Sequence, residues 1–206
     1  EQARALGYKV ETVTVADDIA LGADVKQRGI AGTVFVHKIA GYYASIGKNL
    51  EEVATIARQV AENTASIGLA HTECQMFTGQ KEARLKENEV ELGLGIHGEP
   101  GAEVIAQLPI NELISIAASK IENHFNDPNA KYAVLINNLG TVTPIEMNVI
   151  ANAFSKTKLA KQTSYIVGPA ALMTALNMNG FSLSVLKLTE QLETGLLATV
   201  EPESWK

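Results

Sequence analysis

Apolar positions along the chain switch repeatedly between a two-residue and a 3.6-residue period, and this alternation predicts an α/β fold. Residues 1–6 read as the tail of a helix closed by Gly7, and residues 8–15 alternate as a strand that ends in Asp17-Asp18. A glycine-containing loop leads to an apolar segment, residues 31–46, read as a helix. Residues 49–63 form a second: Asn49 and Glu52 have capping-box spacing, and Leu50, Val53, Ile56, Ala57 and Val60 make one apolar stripe. A strand over 67–76, a charged loop over 78–88 and a further strand leading to His97 follow. Helices are then predicted at 110–123, 144–155 (with proline in its first turn) and 169–176. Strands are predicted at 132–136, 164–167 and 181–188.

A chain that opens on the last turn of a helix and runs into a strand reads as the middle of an α/β unit. We therefore expect two α/β domains, the first only partly present: residues 1–65 as its C-terminal part, and residues 66–206 as a second domain. The first residue is not methionine, consistent with a piece of a longer protein.

The pattern is that of a globular protein, with 46% hydrophobic and 19% charged residues. A net charge of −6, with no run of Lys and Arg interleaved with aromatics, argues against a nucleic-acid partner. No apolar run approaches the roughly 20 residues that cross a bilayer. Glu1-Gln-Ala-Arg lacks the apolar core of a signal peptide. Cys74 is the one cysteine, so there is no internal disulfide, and a reducing, cytoplasmic location is expected.

The most informative segment is Glu91-Leu-Gly-Leu-Gly-Ile-His-Gly-Glu-Pro-Gly101. By the strand period, Val90, Leu92, Leu94 and Ile96 share one face and Gly93, Gly95 and His97 the other, so the glycines would leave open volume in front of the imidazole. A neutral imidazole has one free lone pair, which can accept a proton, bind a metal or add to an electrophilic carbonyl. The bland alternative is a histidine satisfied by turn amides, with the glycines serving only chain reversal. Glu99 reads either as an orienting partner or as a turn residue.

Gly93-Leu-Gly-Ile-His-Gly98 also matches the dinucleotide pattern G-x-G-x-x-G. That motif needs amides at a helix start, whereas Glu99 would repel phosphate and Pro100 disfavours a helix, so the match is a decoy. His71, Glu73 and Cys74 fall short of the ligands a zinc site needs, and an ordinary strand environment is expected. His37 reads as a core or interface histidine and His124 as solvent-facing; no metal site is predicted.

Gly95-Ile-His-Gly-Glu-Pro-Gly101 resembles the signature of dihydroxyacetone kinases, in particular their substrate-binding subunit, the DhaK family. Arg28-Gly-Ile-Ala-Gly-Thr33, Glu89-Val-Glu-Leu-Gly93, Ile136-Asn-Asn-Leu-Gly140 and Asn179-Gly-Phe-Ser182 resemble further family landmarks in the family's order, so the resemblance covers essentially the whole chain. It implies a fold of the family's K-domain type and makes His97 both the catalytic and the substrate-binding residue, forming a covalent hemiaminal with the ketone carbon of dihydroxyacetone. It implies phosphorylation of that ketone by a nucleotide-bearing (DhaL-like) subunit. The resemblance further implies ADP or ATP with Mg on that partner and no cofactor on this chain. It implies a homodimer.

The family's glycine-rich substrate loop, second histidine and proposed base aspartate lie upstream of the first residue here. The end at Trp205-Lys206 suits the phosphotransferase-linked, separate-subunit form over the fused ATP-dependent one. Three stretches depart from the usual pattern: Tyr42-Tyr43, Cys74-Gln-Met-Phe-Thr-Gly79 and Thr141-Val-Thr-Pro144. These keep an alternative open, the DhaQ-type paralogue, a dihydroxyacetone-sensing coactivator that partners a transcription regulator and has no kinase activity.

Overall fold

The computed structural model describes residues 1–21, 28–75, 85–93, 95–96 and 99–199. A short helix α1 (Gln2–Ala5) precedes α2 (Thr33–Ser45) and α3 (Leu50–Glu62), and the chain then enters β1 (Thr64–Ala70). The hairpin strands β2 (Glu89–Leu92) and β3 (Glu103–Ala106) follow, then α4 (Ile110–Phe125), β4 (Tyr132–Asn138), α5 (Pro144–Phe154), β5 (Thr163–Ala170), β6 (Gly180–Lys187) and α6 (Glu190–Leu197). The strands form one sheet in the order β3-β2-β1-β6-β4-β5, in which β4 and β5 are parallel and every other neighbouring pair is antiparallel.

Helices cover both faces, which is why β4 reads as an unbroken apolar run instead of an alternating one. Tyr132, Val134 and Ile136 join Ile67, Leu69, Leu183 and Val185 against α4 and α5, through Ile114, Ile121, Met147 and Ile150. On the opposite face, Ala133, Leu135 and Leu186 pack with Phe35, Ile39, Ile56, Val60, Leu192 and Leu196 of α2, α3 and α6. The capping box at Asn49 and Glu52 forms as its spacing predicts, and Thr143 with Glu146 makes a second at the start of α5.

Two expectations need correction, and two further elements carried no signal in the sequence. Residues 8–15 join no strand ladder; the first pairing is a single bridge from Asp18 to Ser66. Val13 and Val15 do pack onto the core, so the alternation marks a half-buried face, but a strand also needs a hydrogen-bonding neighbour. Residues 169–176 are not a helix: β5 runs through Pro169 to Ala170, and the Leu172 and Met173 amides donate to the Asn137 side chain. β3 lies at the sheet edge and is largely exposed, so its composition carries no alternation signal. α6 was hidden by its length; Thr189 caps it and Leu192, Gly195 and Leu196 form its buried stripe.

Candidate functional site

β2 ends at Leu92, where Gly93 turns the chain with φ of +69° and donates its amide to the Gly68 carbonyl of β1 at 2.7 Å. The alternation therefore stops before the histidine. Val90 and Leu92 point into the core beneath α4, whereas Ile96 packs with Ala70, Cys74, Leu139, Ala175 and Met178. His97 itself, with Leu94 and Gly98, lies outside the described residues.

The glycines do not leave the open volume expected. A Cβ at Gly93 would fall inside the Ala20 methyl, and one at Gly95 inside the Glu99 carboxylate. Both are glycines because neighbours close onto the backbone. The Gly95 amide donates to the Glu99 carbonyl at 3.4 Å, and the Gly101 amide to the Glu91 carboxylate at 2.7 Å, with Glu91 only 3% exposed. The amides of Gly93, Gly95 and Gly101 thus serve the chain's own acceptors, and β3 follows where a dinucleotide motif would need a helix. This donor set does not fit a nucleotide.

The loop is gripped from outside by Arg28. Its Nη1 donates to the Pro100 carbonyl at 2.9 Å, its Nη2 to the Gly93 carbonyl, and its Nε to Asp18 Oδ2 at 2.8 Å. The other Asp18 oxygen accepts the Ala20 amide at 3.0 Å, and Ala20 is the residue that closes onto Gly93. Burial pushes the Asp18 carboxyl above its ordinary range; the Ala20 amide and the Arg28 guanidinium pull it back. The adjacent Asp17 is fully buried and accepts the Ile30 and Gly32 amides, each at 2.8 Å, and the Ser66 hydroxyl. A Cβ at Gly32 would stand 2.5 Å from Asp17 Oδ2, so the Arg28-Gly-Ile-Ala-Gly-Thr33 run is shaped around these two aspartates.

The remaining candidates are scattered. His71 lies just past β1, which ends at Ala70, so His71, Glu73 and Cys74 are not in the strand expected over 67–76; His71 is half-buried, and burial pushes its imidazole below the ordinary value. His37 is exposed and not a core histidine, because α2 turns Val36 and Ile39 inward instead. His124 is exposed and sits edge-on to Phe125, with ring centroids 5.3 Å apart. Cys74 is a free thiol, and among the described residues no group of three His, Cys, Asp or Glu could hold a metal ion.

Two departures from the family pattern acquire physical reasons. Tyr43 donates to the Gln191 carbonyl at 2.8 Å and packs against Gly195, so it braces α6. Thr143 supplies the α5 cap. Arg28, Asp17 and Asp18 are the functional residues whose role motif matching misses, although an acidic doublet at the end of an apolar alternation is a signal in the sequence.

The Dak1 domain family matches residues 1–203. The chain belongs to that family. It is 42% identical over its whole length to the dihydroxyacetone kinase of Citrobacter freundii, of which it covers 37%. It is 34% identical to the human triokinase/FMN cyclase, again covering 37%. The chain therefore spans little more than a third of the curated relatives it matches. The crystal structure of the Citrobacter enzyme superposes with a TM-score of 0.93 at 41% identity, over 99% of this chain and 38% of that one. That enzyme has also been solved with AMP-PNP and Mg2+. The dihydroxyacetone kinase operon co-activator DhaQ superposes with a TM-score of 0.89 at 26% identity, over 99% of this chain and 65% of that one.

Proposed function

We propose that this Dak1 chain is the dihydroxyacetone-binding part of a dihydroxyacetone kinase and holds the ketone on His97 for phosphoryl transfer. The observation that carries the reading is the Gly95-Ile-His-Gly-Glu-Pro-Gly101 signature in a chain 42% identical to a dihydroxyacetone kinase. In this reading residues 1–65 belong to a first α/β unit and residues 66–206 to the unit that carries the histidine.

The chemistry suits an imidazole. Its free nitrogen lone pair adds to the ketone carbon, forming a C–N bond as the carbonyl π pair moves to oxygen. The alkoxide takes up a proton, the ring gives up its own N–H proton, and a neutral hemiaminal results. Glycerol offers similar hydroxyls but no electrophilic carbon, so a reversible covalent bond separates the two where hydrogen bonds do so poorly. Capture also fixes the terminal hydroxyl for transfer. The phosphoryl donor, ADP or ATP with Mg, belongs on a nucleotide-bearing partner subunit or domain. A cytoplasmic homodimer completes the proposal. Among the described residues no helix is long and apolar enough to cross a membrane.

A second reading is a coactivator that binds the ketone and partners a transcription regulator, and the likeness to DhaQ favours keeping it. The test uses the full-length protein. Intact-protein mass spectrometry with dihydroxyacetone should show a gain of one ketone, absent from His97→Ala and absent with glycerol. An adduct that survives in His97→Ala sinks the assignment. Capture without turnover beside a competent nucleotide-bearing partner selects the coactivator.

A further inference from the structure

Arg28 bonds the chain on both sides of the histidine. Its guanidinium reaches the carbonyls of Gly93 and Pro100, and the residues between them, 94–99, include His97. The β-hairpin does not need this grip: β2 and β3 are laddered from Leu92–Glu103 to Glu89–Ala106, and the Gly101 amide is already held by Glu91. Arg28 acts outside the ladder, on the two roots of the loop.

The grip is itself fixed. Asp18, with a fully buried side chain, takes the Nε, and the Arg28 side chain is only 15% exposed. Asp18 is oriented in turn by the Ala20 amide, and Ala20 closes onto Gly93. Asp18 and the two carbonyls thus take donors from all three guanidinium nitrogens. A planar fork can serve three acceptors at once at set spacing, whereas an ammonium is a point charge that cannot reproduce it.

We propose that Arg28, oriented by Asp18, is a positioning residue that sets the His97 loop for capture of the ketone. The inference rests on the proposed role of His97. Covalent capture depends on near-attack placement of the nucleophile, and a misplacement on the order of 1 Å costs about a hundredfold. Arg28 touches neither substrate nor reacting atoms in this scheme; it acts through the loop.

The experiment measures the rate and equilibrium of adduct formation, and KM and kcat with the nucleotide-bearing partner, in full-length wild type, Arg28→Lys, Arg28→Ala and Asp18→Asn. Unfolding midpoints are recorded alongside. Arg28→Lys is expected to stay folded while adduct formation slows and KM for dihydroxyacetone rises at least tenfold, more than kcat falls. Added guanidinium at low concentration should partly restore capture in Arg28→Ala, and an alkylammonium should not. Asp18→Asn should show a smaller loss of the same kind, and it keeps the test open if the Arg28 variants do not fold. Wild-type capture in a folded Arg28→Lys overturns the inference, as does a loss that merely tracks the unfolded fraction. A wild type that forms no adduct overturns the His97 reading and this inference with it.

Discussion

Asn137 and Met173 are bonded in both directions: the Asn137 side-chain amide donates to the Met173 carbonyl at 2.7 Å, and its oxygen accepts the Met173 amide at 2.9 Å. The same oxygen takes the Leu172 amide at 3.1 Å, and the nitrogen also reaches Ser182. One buried side chain at the end of β4 thus holds the turn after β5. Asn137→Leu fills similar volume but leaves those backbone groups without partners, so it should lower stability by about 2–4 kcal/mol. Urea unfolding measures this, and a loss below about 0.5 kcal/mol, the scale of an ordinary surface change, contradicts it.

The two capping boxes should differ in strength. Asn49 Oδ1 accepts the Glu52 amide at 3.0 Å, whereas the Thr143 hydroxyl accepts the Glu146 amide at 3.4 Å. Asn49→Ala is expected to cost about 1 kcal/mol, with Thr143→Ala costing less. Amide exchange in the first turns of α3 and α5 should rise in the same order. The Glu52 carboxyl is held below its ordinary 4.5, first by its bond from Lys48 and then by the Asn49 amide. A depressed carboxylate contributes in full above 4.5 and loses its contribution as pH falls through the lowered value. The destabilisation caused by Glu52→Ala should therefore shrink in acid, and an effect constant down to that range would contradict it.

These elements divide what was readable in the sequence from what was not. α3, α4 and α5 were legible because each buries one stripe, and two of them carry side-chain caps whose spacing is fixed by covalent geometry. β4 was legible as a strand buried on both faces. What failed were elements whose identity depends on a distant partner. Residues 8–15 have a half-buried face and no ladder, and the turn after Pro169 is set by Asn137, more than thirty positions earlier in the chain. At the site, the histidine signature was readable, but the reason for its glycines was not. Gly93 and Gly95 answer to Ala20 and Glu99, and Arg28 reaches the loop from a segment more than sixty positions away.

His71 makes a prediction about pH. Burial pushes its imidazole below the ordinary 6.5, while the Glu146 carboxylate pulls the other way. The unfolded chain therefore binds the proton more tightly. Above 6.5 both states are neutral and His71 costs nothing; as pH falls from 6.5 to the folded value, protonation favours the unfolded state and stability drops. His71→Gln should flatten this part of the Tm profile while leaving the profile above 6.5 parallel to wild type. An unchanged slope beneath 6.5 would show that His71 is not the group responsible.

Gly93 and Ala20 offer a test of why the loop carries glycine. Gly93→Ala imposes two separate penalties. A side chain at φ of +69° costs about 1–2 kcal/mol of backbone strain, and the new methyl must also displace Ala20. Ala20→Gly removes the second penalty and leaves the first. The double variant should therefore be more stable than the sum of the two single losses predicts, and its deficit relative to Ala20→Gly alone should be near the strain value. Chemical denaturation of wild type, both single variants and the double variant gives this coupling directly. Strict additivity would mean that the loop shifts away from Ala20 on its own, so that steric closure by Ala20 is not what requires glycine at position 93.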